Sequence, residues 1–401
     1  MATLDVTACR SQFPALKDGY LFGDNAGGSQ CLQSVASALT DYLLNANAQL
    51  GASYSISAES SSRVQRGLTA TATLFNATSP TEITFGSSST VLAENLARAV
   101  DGDIQSTEEI IVSDADHEAN VGAWVRLGKR RGLKVHRWTP VARAPNENPY
   151  GVQLRIEDLL KLVTAHTRLV AFTACSNILG EVVDVKAVVK ALRARAQEVG
   201  ARKIEVCIDS VAYAPHKRID VQAWDADYVF FSFYKVCFFL PSMHHFGGST
   251  ISQVYGAHFA ALYTRSASRE PLSSLAHYFL TSPSYKLAIG GPGYEWVYST
   301  TAVLKYLESL DPSGDGELAD AFSAIGRHEQ TLMRPLLEFL LSDAAKSRGV
   351  RIVGPETLES RVPTVSFVVV GDRPFKSADI VGEVDKSEKA RVSPQVTADG
   401  D

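Results

Sequence analysis

Short apolar runs alternate along this chain with longer amphipathic stretches. The runs predict strands, and the stretches predict helices because their apolar residues recur at helical spacing. Several runs are continuous in Val, Ile and Phe, as is typical of strands covered on both faces. The predicted strands are Ile83–Phe85, Glu109–Val112, Lys134–Trp138, Leu169–Thr173, Ile204–Asp209 and Tyr228–Ser232. The predicted helices between or before them are Ser29–Asn45, Ser60–Phe75, Val91–Val100, Ala119–Arg131, Ile156–Thr164 and Val185–Val199. This alternation predicts an α/β fold with a mostly parallel central sheet and helices on both faces.

A second block with a different order of elements follows the predicted sheet. Its predicted helices are Tyr294–Leu310 and Ala319–Leu341, and its β-like pieces are Arg351–Val353 and Thr364–Val370. We therefore expect a large domain over residues 24–285 and a smaller α+β domain over residues 286–389. Residues 1–23 form an N-terminal segment expected to pack with the small domain. The polar, aperiodic residues 387–401 look unfolded.

The composition excludes several classes of function. The 401 residues include 39 Lys and Arg against 44 Asp and Glu, for a net charge of −5 without long single-sign runs. Such a balance predicts neither a nucleic-acid nor a membrane surface. No apolar run approaches the length of about 18 residues that a spanning helix needs, and the N-terminus lacks a signal-peptide core. The five cysteines include no CxxC pair, so we expect a reduced, cytoplasmic protein without a metal site.

Two polar residues end neighbouring apolar strands. Lys235 follows the run that begins at Tyr228, and Asp209 ends the run that begins at Ile204. In open α/β sheets, reactive groups collect at the carboxyl ends of the strands. A lysine there can form a Schiff base, although strand-end lysines are often only solvated. A carboxylate there can pair with a buried cation or cap a turn.

Two further segments carry candidate chemistry. Gly86–Thr90 is rich in serine and precedes a predicted helix, so its backbone N–H groups could hold a phosphate. Simple N-capping by serine or threonine explains the same pattern. His117 follows the strand that ends at Val112, and taken alone it is an ordinary surface histidine.

The motifs together resemble those of one enzyme superfamily, and they occur in its order. They are Asp24–Gly28 (Asp-Asn-Ala-Gly-Gly), Gly86–Thr90, Asp116–Asn120 (Asp-His-Glu-Ala-Asn), Ser176–Gly180 (Ser-Asn-Ile-Leu-Gly), Asp209–His216 and Ser232–Lys235. The chain thereby resembles the class V aminotransferases and cysteine desulfurases, which are fold-type-I enzymes dependent on pyridoxal 5'-phosphate (PLP). The similarity is greatest to the cysteine desulfurase-like subgroup that includes fungal members from alkaloid-type gene clusters.

The resemblance implies a role for each matched residue. Lys235 would carry PLP as a Schiff base and later move a proton at the substrate's α-carbon. Asp209 would pair with the pyridine nitrogen, and Asn177 would reach the phenolic oxygen. His117 would stack on the ring and serve in acid–base steps. The residues that would hold the phosphate are Ser89, Thr90, Ser232 and Tyr234.

The resemblance also implies partners. The substrate would be a small, amino-acid-like molecule. The segment Gly290–Glu295 resembles one that in the family approaches the cofactor of the neighbouring subunit, which implies a homodimer.

Three departures from the family pattern bear on activity. The first is Ala212, which stands where many desulfurases have glutamine or histidine beside the phenolic oxygen.

The second departure concerns the C-terminal region. No cysteine follows Cys237, whereas desulfurases carry sulfur on a mobile C-terminal cysteine. Arg391 is the only candidate for the arginine that grips the substrate carboxylate, and its context does not match. We therefore expect the small domain to be truncated and residues 390–401 to be a non-family tail.

The third departure is an insertion directly after the lysine. The 18 residues 236–253 match nothing in the family, and removing them joins Lys235 to the family's aromatic-glycine turn at Val254–His258. The segment begins with Val-Cys and ends with Gln, which can be encoded by splice-donor and splice-acceptor sequences. We interpret it as a translated, unspliced intron; the alternative is a genuine insertion loop.

These observations predict a PLP-dependent enzyme acting on an amino-acid-like substrate through Lys235. Because the persulfide cysteine is missing, we favour lyase or transferase chemistry in specialised metabolism. Cysteine desulfuration with a thiol from elsewhere is one alternative. A non-catalytic or defective gene product, with its site interrupted after Lys235, is the other.

Overall fold

The computed structural model describes residues 4–16, 21–22, 29–144, 148–235, 256–371 and 390–391. The helices in these ranges are α1 (Val6–Ser11), α2 (Gln33–Asn45), α3 (Ser55–Phe75), α4 (Ser89–Val100), α5 (Glu118–Arg131), α6 (Ile156–Leu162), α7 (Val185–Val199), α8 (Val221–Trp224), α9 (Ser266–Arg269), α10 (Tyr294–Glu308), α11 (Leu318–Leu340) and α12 (Asp343–Ser347). The strands are β1 (Leu21–Phe22), β2 (Ile83–Gly86), β3 (Glu109–Ser113), β4 (Lys134–Trp138), β5 (Val141–Ala144), β6 (Asn148–Gln153), β7 (Thr167–Thr173), β8 (Glu205–Asp209), β9 (Tyr228–Ser232), β10 (Ala260–Thr264), β11 (Val350–Val353), β12 (Ser366–Val369) and β13 (Ala390–Arg391). The suspected insertion 236–253, the motif at residues 24–28 and the tail after residue 391 lie outside the described residues.

A seven-stranded sheet forms the centre of the molecule, in the order β2-β10-β9-β8-β7-β3-β4. Strands β4, β3, β7, β8 and β9 run parallel, and β10 runs antiparallel to both β9 and β2. All six predicted strands belong to this sheet. The predicted mostly parallel α/β fold is therefore confirmed.

The central strands β7, β8 and β9 are buried along their whole length. Their side chains alternate between two hydrophobic clusters: Val229 and Phe231 lie in one, and Tyr228 and Phe230 in the other. A strand with both faces covered by helices needs apolar residues at every position, which explains the continuous apolar runs in the sequence.

Some element boundaries differ from the expected ones. Helix α2 begins at Gln33 rather than Ser29, whose backbone N–H donates to the carbonyl of Tyr234 at 2.9 Å. Helix α3 begins at Ser55, earlier than predicted. The hydroxyls of Ser57 and Ser60 donate to the carbonyls of Gln49 and Ala48, at 2.6 and 2.9 Å, and so stabilise the serine-rich first two turns, which lack a helical apolar pattern.

The C-terminal part of the chain packs on the part of the molecule that contains the central sheet, and two of its contacts involve long helices. Helix α10 lies against α2 and α3. The buried His216 Nδ1 lies 2.7 Å from Glu329 Oε1 of α11, which ties the loop after β8 to the C-terminal helix. No helix among the described residues combines the length and apolar character that crossing a bilayer requires. Residues 390 and 391 form a strand parallel to β1, so the expectation that residues 387–401 are unfolded is wrong at these two positions.

The close packing of α3 on α10 yields a test of the fold. An added Cβ at Gly67 would lie 2.6 Å from the carbonyl carbon and 2.9 Å from Cγ1 of Val297. Gly67→Ala should therefore lower the free energy of unfolding by about 1–3 kcal/mol through overpacking. Gly326→Ala is the matched control, because Gly326 also lies inside a helix and has no heavy atom within 4 Å of the added carbon. It should stabilise by about 0.5–1 kcal/mol. Denaturant unfolding measures both, and equal effects would contradict the packing argument.

Candidate active site

A cavity of about 310 Å³ opens at the carboxyl ends of β7, β8 and β9. Its size is within the range of small-molecule sites. The residues on its wall include Ser88, Ser89, Thr90, His117, Thr173, Cys175, Asn177, Asp209, Val211, Ala212, Ser232, Tyr234, Lys235 and His258. The structure thus brings all eight predicted site residues to one cavity: Ser89, Thr90, His117, Asn177, Asp209, Ser232, Tyr234 and Lys235.

Lys235 follows β9 by three residues, and hydrogen bonds hold the backbone just before it. The Phe233 N–H donates to the carbonyl of Phe259 at 2.9 Å, and the Phe233 carbonyl accepts from Gly256 N–H at 2.9 Å. The Tyr234 carbonyl accepts from both the backbone N–H and the hydroxyl of Ser29, at 2.9 and 3.0 Å. The point where the lysine leaves the sheet is therefore fixed from two sides.

Asp209 ends β8 and is only 3% exposed. Its Oδ1 accepts a hydrogen bond from the backbone N–H of Val211 at 2.8 Å. Burial raises the pKa of Asp209 to about 7, although that hydrogen bond and the nearby Lys235 oppose the shift. A carboxylate buried in this way gains stability from any cation that enters the cavity.

The N-terminus of α4 points its free backbone groups at the same space. Ser88 is the N-cap, and its hydroxyl accepts from Val91 N–H at 3.2 Å. The hydroxyl of Ser89 is buried and has no hydrogen-bond partner among the described residues. The sequence left open whether these serines cap the helix or bind a phosphate. Ser88 caps the helix, and the hydroxyl of Ser89 is available to an anion.

His117 is the N-cap of α5. Its Nδ1 accepts a hydrogen bond from the backbone N–H of Ala119 at 3.0 Å, which requires an unprotonated Nδ1. Burial of the ring, and then the charge of Lys235, lower the pKa of His117. The resting ring is therefore neutral, with its proton on Nε2.

Asn177 lies in a tight turn after β7. The Ser176 hydroxyl accepts from Leu179 N–H at 3.2 Å, and the turn ends at Gly180, whose φ is +68°. A side chain at Gly180 would collide with the carbonyl of Thr364. Glycine is therefore required both by the backbone conformation and by the close approach of the C-terminal segment.

Sequence reasoning missed three residues on the cavity wall. The ring of His258 lies 3.8 Å from that of Tyr234, edge to face, but it follows the segment 236–253 and stands outside any strand pattern. Thr173 and Cys175 belong to an apolar run and resemble core residues. Cys175 is fully buried, and its thiol donates to the carbonyl of Gly180 at 3.7 Å.

The fold and the groups around the cavity define the class of protein as a fold-type-I PLP enzyme. The residues fit the cofactor on two structural grounds: the unpartnered hydroxyl of Ser89 at a helix N-terminus suits a phosphate, and the buried Asp209 suits a protonated ring nitrogen. A family model described as aminotransferase class-V matches residues 20–393. The chain therefore belongs to the class-V aminotransferase family and is a PLP-dependent enzyme.

Individual relatives agree with this assignment. The aminotransferase-like protein FGM3 of Gibberella zeae is 36% identical over 378 residues, covering 92% of this chain and 83% of that protein. The nonribosomal peptide synthetase-like enzyme fsqF of Aspergillus fumigatus is 30% identical over 389 residues, which are 96% of this chain but 23% of that enzyme. The apo structure of the cysteine desulfurase from Thermococcus onnurineus NA1 superposes with a TM-score of 0.74 at 20% identity, covering 97% of this chain and 87% of that one.

The buried carboxylate generates a pH prediction. The pKa of Asp209 rises from an unfolded value of 3.8 to about 7, so its protonated form stabilises the fold at low pH. That contribution is lost at ~1.4 kcal/mol per pH unit as the pH rises from about 4 to about 7. Asp209→Asn cannot ionise and should escape this loss. Thermal unfolding of the apoproteins from about pH 5 to pH 8 should show the variant gaining on the wild type up to about pH 7. Parallel curves would contradict the assignment.

His117 caps α5, and the family resemblance predicts that its ring also stacks on PLP; matched variants separate the two roles. His117→Asn keeps an N-cap side chain and loses the ring, so it should weaken PLP binding and preserve apoprotein stability. His117→Phe keeps an aromatic face and loses the cap, so it should cost ~1 kcal/mol of stability and retain more affinity. Cofactor titration and thermal unfolding are the measurements. If both variants lose the same property, the residue has one function and not two.

Proposed function

We propose that this protein is a PLP-dependent lyase or transferase of specialised metabolism that acts on an amino-acid-like substrate. One observation carries the proposal: Lys235, Asp209 and the free N-terminus of α4 surround one cavity, and the cysteine among the described residues of its wall, Cys175, is fully buried. Persulfide chemistry needs an accessible thiolate, and Cys175 does not provide one. The match to a segment of a nonribosomal peptide synthetase-like enzyme supports specialised metabolism.

The cofactor supplies the electronic part of the reaction. PLP would supply an electron sink for the α-carbon of the substrate. Lys235 would hold the cofactor covalently and move the proton at that carbon. Asp209 would keep the ring nitrogen protonated, for which its burial suits it, because the cation would relieve the cost of the buried charge.

The remaining residues bind and orient the cofactor. Ser89 and Thr90 would hold the phosphate at the N-terminus of α4, and Ser232 and Tyr234 would hold it from the end of β9. His117 would stack on the ring and, as a neutral imidazole, could donate through Nε2. Asn177 would contact the phenolic oxygen, and Ala212 would leave that oxygen one contact short.

Arg391 is our proposal for the group that binds the substrate carboxylate. Its backbone pairs with Phe22 of β1 in parallel register. Seven residues after Phe22, Ser29 bonds to the carbonyl of Tyr234, next to Lys235. These two contacts support the proposal.

We also propose a homodimer and the two-domain division at residue 285. Ile289, which directly precedes the segment Gly290–Glu295, is 62% exposed, and Tyr278, earlier in the same stretch of chain, is 98% exposed. Apolar side chains of this size gain stability when a second subunit covers them.

Proton exchange at the substrate's α-carbon tests the proposed function. Purified protein loaded with PLP is incubated in deuterated buffer with a panel of amino acids, and loss of the α-proton is followed by NMR. Lys235→Ala should slow exchange by about 10³-fold, because it removes the general base. Lys190→Ala, at an exposed position of α7, should leave exchange unchanged. After borohydride treatment of the wild type, the peptide that contains Lys235 should carry the cofactor.

Three results would redirect the proposal. Sulfide release from cysteine in the presence of a reductant would establish desulfuration instead. A protein that binds no PLP as the full chain but binds it when residues 236–253 are removed would identify a defective product. Exchange that survives Lys235→Ala would show that another residue is the base.

A further inference from the structure

Asn120 is a fully buried polar residue in the first turn of α5 to which the proposed chemistry gives no role. Its Nδ2 donates to Oδ2 of Asp116 at 2.6 Å. Its Oδ1 accepts from the indole Nε1 of Trp124 at 3.1 Å and lies 3.8 Å from the thiol of Cys207. Every polar atom of this side chain is therefore used.

The orientation of the Asn120 amide follows from its partners. The indole N–H of Trp124 can only donate, so it must face the amide oxygen, and the NH₂ group must face Asp116. The other carboxylate oxygen of Asp116 accepts from the backbone N–H of His117 at 2.8 Å. Asp116 thus accepts one hydrogen bond on each oxygen.

These contacts connect two parts of the candidate site. Asp116 directly precedes His117, the proposed stacking residue. Cys207 lies on β8 two residues before Asp209, so the two side chains are on the same face of the strand. Asn120 therefore joins the start of α5 to the strand that carries the carboxylate, across 87 residues of sequence.

We propose that Asn120 is a positioning residue that fixes the stacking face of His117 relative to the carboxylate of Asp209. This inference rests on the proposed roles of those two residues. The two elements are not consecutive, since α5 follows β3 and β8 lies two strands away in the sheet; their apolar side chains share one cluster, and Asn120 adds the hydrogen-bonded link between them. A flat heterocycle must meet its stacking partner and its charge partner at once, so a shift between α5 and β8 weakens binding without unfolding either element.

The proposal is tested by exchanging the amide of Asn120, which donates, with the carboxylate of Asp116, which accepts. Asn120→Asp sets one carboxylate against another, and Asp116→Asn leaves either the His117 N–H or the Asn120 amide without its acceptor. In the double variant, the amide now at position 116 can accept from His117 N–H and donate to the carboxylate now at position 120. That carboxylate still accepts from Trp124 and Cys207. The pair is then restored with its polarity reversed.

The measurement is the dissociation constant of PLP at about pH 8, where the carboxylate of Asp209 is ionised. The circular dichroism of the bound cofactor is recorded with it, because it reports the ring's surroundings. Each single variant should weaken binding about 10-fold or more. The double variant should return to within about threefold of the wild type, as expected for directly coupled residues. Thermal unfolding of each apoprotein reports the structural effect separately.

Cys207 provides a second pair in case Asn120→Asp fails to fold. Cys207→Ala removes the donor that links β8 to Asn120, whereas Cys207→Ser retains one of similar size. The alanine variant should lose affinity and change the cofactor's dichroism, and the serine variant should restore both.

The outcomes separate this inference from the proposed function. If the single variants lower the unfolding temperature but leave PLP affinity and dichroism unchanged, Asn120 is merely structural and the inference is wrong. The same holds if the double variant folds but does not recover binding. If the wild-type protein does not attach PLP at Lys235, the proposed function itself is wrong.

Discussion

The buried carboxylate at the end of β8 is the constraint on which the rest of the site depends. Asp209 lies in a nearly solvent-free position with one backbone N–H as its hydrogen-bond donor, and its pKa of about 7 expresses how unfavourable the isolated charge is. A cationic ring nitrogen relieves that cost. The same buried charge therefore destabilises the empty protein and strengthens the binding of a cation. The lysine that leaves the adjacent strand lies close enough to influence the charge, but its amine is needed for covalent attachment. The empty protein with Asp209 ionised is therefore the least stable state, and it is also the state that binds a cationic ring most strongly.

The regular part of the fold could be predicted because its physics is local. Strands β7–β9 are covered on both faces, so each reads as an unbroken apolar run, and the polar residue that ends the run marks the edge of the sheet. Strand β10 could not be placed, because it follows a segment without a family counterpart and pairs antiparallel both with the preceding strand β9 and with β2, which is distant in sequence. The hairpin of β5 and β6 was missed for a related reason. Its pairing contains an irregularity at Ala142–Ala144 that interrupts any alternation.

The candidate site shows the same division between local and distant information. Strand ends and a helix start pointed to Lys235, Asp209 and the segment Gly86–Thr90 as candidates, since each follows or precedes a strong pattern. Local pattern could not show that Ser88 caps α4 while the Ser89 hydroxyl remains free, because adjacent serines have the same propensity. Asn120 lies in a motif recognised in the sequence but received no role there. Its significance comes from a contact with Cys207, and a buried asparagine in a helix carries no signal of its partner.

The charges around the cavity also determine which way a phosphorylated heterocycle can enter. The N-terminus of α4 provides a partial positive charge and the free Ser89 hydroxyl at one end, whereas Asp209 provides the acidic group at the end of β8. In the reversed orientation the phosphate would face the buried carboxylate of Asp209. Two negative charges in contact repel strongly in a site of low polarity. The orientation with the ring nitrogen at β8 and the phosphate at α4 satisfies both ends together. Lys235, just after the end of β9, lines the same cavity, as the proposed covalent attachment requires. The proposed direction of binding, covalent attachment and proton transfer therefore rest on a single arrangement of charge along three neighbouring elements.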